Sequence, residues 1–332
     1  MYGRPETRYI VCMHSTAVQT RSPRCPSLFI QGDTDMNAPT ESGLKSRYDA
    51  TDLITQEVLK RYADTPDPRL REIMLSLIRH IHSFAKDVKL TSGEWLYAMN
   101  LLEETGKWCG PGRNEFIIFS DALGLSMLTV TQDYPRPEHT TEPTLVGPFL
   151  LENAPEFALG DDISAGAQGT PLYVQGTVRD VDGKPVPHAK IDVWHSDDRG
   201  LYDVQQDLET NGPWARALLT ADANGHYNFW SIMPVDYPVP QEGTAIIMLS
   251  NTTGRSWRPA HLHYRVQAPG QRPLVTHIFD RNSKHLDADA VFGVRPSLIA
   301  DFVHHKSGTA PDGKVMSGEF YTLDYDFVMV PA

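Results

Sequence analysis

The chain has 332 residues, enough for one large or two ordinary domains, and its 40% apolar and 22% charged content is typical of globular proteins. A formal net charge of −12 argues against nucleic acid as a partner, because phosphate binding requires a basic face. No apolar run approaches the roughly 18 residues of a membrane-spanning helix, so membrane insertion is not expected.

The amino-terminal stretch has an unusual composition. The first 31 residues contain four arginines and a single acid, Glu6, together with several serines and threonines. This composition faintly resembles an organellar transit segment. The preferred interpretation is a poorly ordered extension over residues 1–45, or an error in the gene model.

Only three cysteines are present, too scattered for a disulfide framework, which favours a reducing, cytoplasmic location.

Residues 46–132 carry the apolar periodicity of helices. Between residues 70 and 88, apolar side chains recur at i, i+3, i+4 and i+7, as on one face of a helix. Asp67 and Pro68 precede this pattern and supply a cap and a first-turn proline. We therefore predict an all-α domain over residues 46–132.

Two more helices are predicted in this domain. One begins at Thr91, where Glu94 completes a capping box, and ends near Gly106. The other runs continuously from about residue 114 to residue 130. Residues 133–170 are rich in proline, glycine, threonine and glutamate, so they are predicted to form a connecting loop.

From residue 171 onward the pattern changes to the period of two that is typical of strands. Asp182-Gly183 and Asn224-Gly225 are hairpin signals between such stretches. The predicted strands are 171–179, 189–195, 215–220, 226–232, 244–249, 260–267, 273–279 and 319–330. Many short strands with turn signals predict a mainly-β protein, in which an antiparallel β-sandwich over residues 171–332 carries the chemistry.

His261 and His263 flank Leu262 on one predicted strand. Residues i and i+2 of a strand share a face, so both imidazoles are expected to converge. Two such imidazoles are half of a site for iron, copper or zinc, and the alternative is two polar residues on a solvated face. His80 and His82 have the same spacing, but on a helix they point about 200° apart and cannot share a metal.

The remaining ligands are not fixed by spacing. A cupin-type site requires a glutamate shortly after the second histidine, and residues 264–268 contain none. Tyr202 and Tyr237 each stand in a loop that leaves a strand. A tyrosine in such a loop is more often a packing residue than a ligand, so both interpretations stay open at this point.

Several segments of the sequence together resemble a known family. They are Leu145-Val146-Gly147-Pro148-Phe149, Asp192-Val193-Trp194-His195, Gly200-Leu201-Tyr202, Tyr237-Pro238-Val239-Pro240 and Arg258-Pro259-Ala260-His261-Leu262-His263. From about residue 46 to residue 330 the chain is similar to the intradiol ring-cleaving dioxygenases, the catechol and hydroxyquinol 1,2-dioxygenase family. This resemblance implies a non-haem Fe(III), one per subunit, held by Tyr202, Tyr237, His261 and His263.

The resemblance also implies catalytic residues. Tyr237 is implied to leave the metal and take a substrate proton, and Arg258 to stabilise negative charge on the substrate. The alternative for Arg258 is an exposed surface arginine. His277 stands where bacterial catechol enzymes have glutamine, and it is expected to support the ligands by hydrogen bonding.

The implied substrate is a small aromatic diol or triol, cleaved with O2. Asp121 stands where catechol enzymes tend to have proline, and it can accept a hydrogen bond from a third ring hydroxyl; the alternative is a carboxylate on the helix surface. Val291 stands at a position where catechol enzymes are similar to one another in having a bulkier phenylalanine. The remaining predicted pocket residues are Ile118, Leu145, Gly147, Pro148, Phe149, Val239 and Pro240.

These differences favour hydroxyquinol, giving maleylacetate or its tautomer 3-hydroxy-cis,cis-muconate. The alternative substrate is catechol, giving cis,cis-muconate, and a remote alternative is a non-enzymatic β-sandwich binding module. The resemblance further implies a homodimer formed through the helical domain, with a phospholipid in the dimer interface.

Overall fold

The computed structural model describes residues 41–110, 113–206 and 208–332. The stretch over residues 1–31 with the transit-like composition lies outside the described residues, as does most of the predicted extension over 1–45. Two compact units make up the described chain, one ending at Glu103 and the other running from Glu104 to Ala332. Within the described residues, no helix is both long enough and apolar enough to cross a membrane.

The first unit is helical. It contains α1 (Glu41–Tyr62), α2 (Pro68–Asp87) and most of α3 (Ser92–Lys107). The predicted start of α2 is confirmed, because the Asp67 carboxylate accepts the Leu70 N–H at 2.6 Å.

The predicted capping box at the start of α3 is also confirmed. The Thr91 N–H donates to Glu94 Oε2 at 2.8 Å, and the Glu94 N–H donates to Thr91 Oγ1 at 3.3 Å. These reciprocal bonds satisfy backbone donors that the first helical turn leaves without partners. The polar sequence ahead of the apolar pattern therefore determines where α3 begins.

The third predicted helix is broken in two. Helix α4 covers Glu115–Ala122 and α5 covers Leu125–Asp133. Between them Gly124 has φ +72°, in the left-handed region where a right-handed helix cannot continue. The prediction of one continuous helix over residues 114–130 is wrong for this reason.

The predicted strand over residues 244–249 is also wrong, because this segment forms helix α7 (Thr244–Asn251). A short apolar run does not distinguish a buried helix from a buried strand. The buried carboxylate of Glu115 on α4 accepts the Ala245 N–H at 2.9 Å, which stabilises the α7 amino terminus. Helix α4 lies in the compact unit that also contains the sheets. The predicted domain boundary at residue 132 stays a prediction.

The second unit contains the strands. Helix α6 (Leu208–Asn211) and three single-turn 3-10 helices (Asp203–Gln205, Leu286–Ala288 and Pro296–Leu298) connect them. The described strands are β1 (Pro171–Arg179), β2 (Lys190–Trp194), β3 (Arg216–Thr220), β4 (His226–Ile232), β5 (Tyr237–Pro238), β6 (Trp257–Arg258), β7 (His261–Gln267), β8 (Leu274–Asp280), β9 (Ile299–Ala300), β10 (Val303–His305), β11 (Gly308–Thr309), β12 (Val315–Met316), β13 (Phe320–Asp324) and β14 (Phe327–Val328).

Two larger sheets form the sandwich. One has the order β3-β2-β7-β8-β9, and the other has the order β10-β13-β1-β14 with β4 paired to β1. The ribbons β5-β6 and β11-β12 complete the strand pairing. The predicted sandwich is confirmed, with the difference that β1 pairs in parallel with β13 and β14, and β8 pairs in parallel with β9.

Strand β7 has one apolar face and one polar face. Leu262, Tyr264 and Val266 are fully buried in the core that also contains side chains of the opposite sheet. Because side chains alternate along a strand, His261 and His263 project from the other face. The sandwich core thus fixes the orientation of β7 and presents both imidazoles on one side.

Candidate metal centre

Four donor atoms converge on the polar face of β7. His261 Nε2 lies 3.0 Å from His263 Nε2, and His263 Nε2 lies 3.0 Å from Tyr202 Oη. Tyr202 Oη lies 3.1 Å from Tyr237 Oη, and His261 Nε2 lies 3.5 Å from each phenol oxygen. Donors that share one ion at about 2.0–2.2 Å stand about 3 Å from one another. The four predicted ligands therefore have the spacing of a single mononuclear site.

Different elements supply these four side chains. Both histidines are on β7, Tyr237 opens β5, and Tyr202 precedes the 3-10 turn Asp203–Gln205. The Tyr202 N–H donates to Gln205 Oε1 at 2.8 Å, which fixes the start of that turn. All four side chains are buried, so bulk water does not compete for the donor atoms.

The histidine rings are oriented by their surroundings. His261 Nδ1 lies 2.6 Å from the Pro259 carbonyl, which can only accept, so Nδ1 carries the proton and Nε2 turns its lone pair toward the site. The His263 ring stacks on Trp194, with ring centroids 4.8 Å apart. Gly147 has φ +70°, and a Cβ there would lie 3.2 Å from His263 Cε1, so glycine allows this close approach.

The electrostatics of the site suit a cation. Burial, reinforced by Arg258 near His261 and by His277 near His263, lowers the pKa of both imidazoles well below the ordinary value. Neutral imidazole is the form that binds a metal. Burial and the adjacent Tyr237 raise the pKa of Tyr202 well above its ordinary value, so a phenolate here needs a nearby positive charge. Two phenols and two neutral imidazoles therefore fit a metal ion that supplies this charge.

His277 lies beside the four donors. One nitrogen from each of His261, His263 and His277 falls within a group spanning 4.8 Å. His277 Nδ1 accepts a hydrogen bond from Arg258 Nη2 at 3.4 Å, so the lone pair of this nitrogen is directed at the guanidinium of Arg258. Its supporting role stays a prediction.

Arg258 is buried next to the donors, not on the surface, so the surface alternative is wrong. Arg258 lies opposite Tyr237 in the β5-β6 ribbon, and its Nε donates to Asp289 Oδ1 at 3.2 Å. Burial alone would lower the pKa of this guanidinium, but Asp289 together with Tyr237 and Tyr202 more than offsets it and the pKa is raised. A fixed positive charge thus stands beside the candidate metal centre.

Several of the predicted pocket residues lie together or contact a donor. Leu145, Val239 and Val291 belong to one buried apolar cluster, and Phe149 stacks on Tyr202 with ring centroids 4.3 Å apart. These predicted pocket residues are far apart in the sequence but pack together in the structure. Their role against a substrate stays a prediction.

Asp121 is buried, which contradicts the alternative of a helix-surface carboxylate. Burial raises the pKa of Asp121, while a hydrogen bond from Ser126 and the charge of Arg258 act in the opposite direction. Among the other predicted pocket residues, Ile118 is half-buried, and Pro148 and Pro240 are exposed. Because the Asp121 carboxylate is buried, a hydrogen bond from a polar group to it is stronger than the same bond in water.

Sequence reasoning missed two buried ion pairs around the site. Arg216 donates to both carboxylate oxygens of Asp203 at 2.6 and 2.9 Å and to the Phe149 carbonyl at 2.7 Å. Asp289 pairs with Arg258. Asp203 directly follows Tyr202, and Asp289 is two residues before Val291, but neither position has a pattern that identifies its distant partner.

Comparison with known proteins agrees with this geometry. Residues 148–331 match the family model described as Dioxygenase, and residues 67–141 match the model described as Catechol dioxygenase N terminus. The chain is 46% identical to a 6-chlorohydroxyquinol 1,2-dioxygenase of Cupriavidus pinatubonensis, over 84% of this chain and 96% of that protein. It is 41% identical to a hydroxyquinol 1,2-dioxygenase of Nocardioides simplex, over 90% of this chain and 100% of that protein.

A solved structure is also similar. The hydroxyquinol 1,2-dioxygenase of Pseudomonas putida DLL-E4 has a TM-score of 0.80 and 36% identity, over 86% of this chain and 100% of that chain. A β-sandwich that gathers two phenols and two imidazoles defines a candidate mononuclear metal centre. The chain belongs to the intradiol ring-cleavage dioxygenase family.

Proposed function

We propose that the chain holds one Fe(III) through Tyr202, Tyr237, His261 and His263 and cleaves hydroxyquinol between its adjacent hydroxylated carbons. One O2 and one hydroxyquinol give 3-hydroxy-cis,cis-muconate, the tautomer of maleylacetate, so both oxygen atoms enter the product. The observation that carries this proposal is the convergence of the four donor atoms, each of which lies 3.0–3.5 Å from at least two of the others. Held by these four side chains, ferric iron would supply Lewis acidity that withdraws electron density from the substrate ring.

The protein side chains have separate tasks in this proposal. The diol must lose protons to bind as an anion, and Tyr237 Oη is the group that takes one of them. Arg258 stabilises the negative charge that develops on the substrate, because its guanidinium stays protonated and is buried. The apolar cluster of Leu145, Val239 and Val291 excludes water from the ring, which strengthens these electrostatic interactions.

A steady-state comparison tests the substrate assignment. We expect the iron-loaded protein to have a higher kcat/KM for hydroxyquinol than for catechol, because buried Asp121 can accept a hydrogen bond from the third hydroxyl. The similarity to enzymes named for hydroxyquinol supports the same order. A higher kcat/KM for catechol would contradict hydroxyquinol as the substrate and leave the catechol reaction in its place.

Asp121→Ala is expected to lower kcat/KM for hydroxyquinol by about 10- to 100-fold, the usual effect of losing a hydrogen bond to a charged group. The value for catechol, which lacks the third hydroxyl, should change by no more than about threefold. Asp121→Asn keeps one acceptor oxygen and should fall between the wild type and Asp121→Ala. An equal loss for both substrates would show that Asp121 supports the fold and not the recognition of hydroxyquinol.

We propose that a second copy of the chain covers the exposed face of α2. Six apolar side chains at helical spacing are exposed along or just beyond this helix: Leu70, Ile73, Leu77, Ile81, Phe84 and Val88. A contiguous apolar face of this kind marks an interface in a soluble protein. The phospholipid predicted at the same interface rests on resemblance alone.

Sedimentation velocity of the purified protein should therefore report a dimer. Ile81→Glu introduces a charge into the α2 face and is expected to shift the population toward monomer. Lys60→Glu on α1 changes a basic side chain outside this face and serves as the control. A wild-type protein that sediments as a monomer would contradict the proposed interface.

A further inference from the structure

One buried carboxylate connects Arg258 to the segment 289–293. Asp289 Oδ1 accepts from Arg258 Nε at 3.2 Å and from the Val291 N–H at 3.4 Å. Asp289 Oδ2 accepts from the Gly293 N–H at 2.8 Å. The side chain of Asp289 is only 3% exposed, so these bonds are not exchanged with bulk water.

The segment 289–293 depends on these bonds for its conformation. Phe292 has φ +59°, in the left-handed region that is unfavourable for a bulky side chain, and its side chain is half-exposed. Asp289, Ala290 and Phe292 of the segment also line a surface cleft of about 460 Å³, so solvent reaches part of its surface. Hydrogen bonds to Asp289 therefore offset the backbone strain at Phe292.

The junction around Asp289 is tightly packed. A Cβ added at Gly293 would lie 3.1 Å from Asp289 Oδ2 and 3.5 Å from both Arg258 Nη2 and His277 Nδ1. The Ala290 N–H donates to the Trp257 carbonyl at 2.9 Å, so the segment is also attached to the residue before Arg258. A displacement of Asp289 would move the guanidinium and the segment together.

We propose that Asp289 is a positioning residue that sets both the orientation of Arg258 and the position of Val291. The first sets the charge that faces the substrate, and the second sets one wall of the pocket. This inference rests on the proposed function, because the effect it describes is an effect on ring cleavage. Asp289 acts through Arg258 and Val291 and does not itself contact the substrate.

Asp289→Asn tests the role directly. The amide has nearly the size of the carboxylate but has no charge and only one acceptor atom, so at least one bond is lost. We expect kcat for hydroxyquinol to fall about 10- to 100-fold, as for other residues that orient a catalytic group. KM should change by less than about threefold, and the iron content and visible spectrum should match the wild type. Asp301→Asn, which removes an exposed partner of Arg281, is the matched control and should leave kcat unchanged.

A double-variant cycle separates positioning from a general structural role. If Asp289 affects kcat through the orientation of Arg258, and the position of Val291 affects only KM, the Arg258→Gln/Asp289→Asn double variant should have a kcat within about twofold of Arg258→Gln alone. Losses that multiply in the double variant would overturn the inference. Thermal unfolding of the same single and double variants measures their stability separately from kcat.

Gly293→Ala provides a second route if Asp289→Asn does not fold. The added methyl crowds Asp289 Oδ2, which must shift by a few tenths of an ångström, and so disturbs the ion pair with Arg258 without removing a charge; we expect kcat to fall about 3- to 10-fold with iron retained. An unchanged kcat in Gly293→Ala would overturn the inference. Failure of the proposed function looks different, since the wild type itself would then not cleave hydroxyquinol. A wild type that cleaves hydroxyquinol, with Asp289→Asn equal to Asp301→Asn, would overturn the positioning role alone.

Discussion

Tyr202→Phe is expected to lower kcat for hydroxyquinol on the order of 1,000-fold or more and to remove most of the bound iron. The substitution deletes only Oη, the atom that lies within 3.0–3.5 Å of the other three donors. The ring itself remains, so its stacking on Phe149 is retained. The loss is therefore a loss of a ligand and not of packing. Metal analysis and the visible charge-transfer band measure it together with kcat.

Tyr264→Phe is the matched control for this prediction. Tyr264 is also fully buried, but it points from β7 into the core, and its hydroxyl has no hydrogen-bond partner among the described residues. Removing that hydroxyl is expected to leave iron content, spectrum and kcat unchanged. Full iron content with wild-type kcat in Tyr202→Phe would contradict the assignment of Tyr202 as a ligand.

Arg258→Gln is expected to lower kcat about 100- to 1,000-fold while iron content and the visible spectrum stay close to the wild type. The guanidinium is a charge beside the donors and not a donor itself, so its loss affects the reaction more than the metal. Stability should also fall by about 3–5 kcal/mol, because Asp289 is left as a buried charge without its partner. Arg258→Lys keeps the charge without the planar fork and should retain more of both properties.

Arg281→Gln is the control for Arg258→Gln. Arg281 forms an ion pair with Asp301 in which both side chains are more than half exposed, so little stability and no activity should be lost. Equal effects of the two substitutions on kcat would contradict a catalytic role for Arg258. A large rise in KM at constant kcat would instead assign Arg258 to substrate binding alone.

The local patterns in the sequence predicted the parts of the fold that local chemistry determines. The caps at Asp67 and Thr91 act within one helical turn, and both helix starts follow from them. The alternation along β7 likewise determines that His261 and His263 share a face. These features need no knowledge of distant residues.

The wrong predictions concern segments whose conformation depends on a single residue or on a distant partner. Gly124 ends α4 through its own left-handed backbone, although the apolar pattern continues past it. The run from residue 244 is helical, and a buried carboxylate from α4 binds its amino terminus. No periodicity within that run contains this information.

The candidate site shows the same division. Spacing identified the histidine pair, but resemblance was needed to add Tyr202 and Tyr237, since each comes from a different loop. The burial of Asp121 and the ion pair of Asp289 with Arg258 are products of the tertiary fold. The sequence around an aspartate does not indicate whether its carboxylate will be exposed to water or paired with a buried arginine.

The visible spectrum of the iron-loaded protein, recorded without O2 before and after addition of hydroxyquinol, tests the central claim most directly. Phenolate donors on a ferric ion produce a charge-transfer band, so the protein should be red-brown and the band should shift when the substrate binds. Tyr202→Phe should weaken the band, and Tyr264→Phe should leave it unchanged. A protein that binds iron but stays colourless, or a band that hydroxyquinol does not alter, would contradict the two-tyrosine, two-histidine centre.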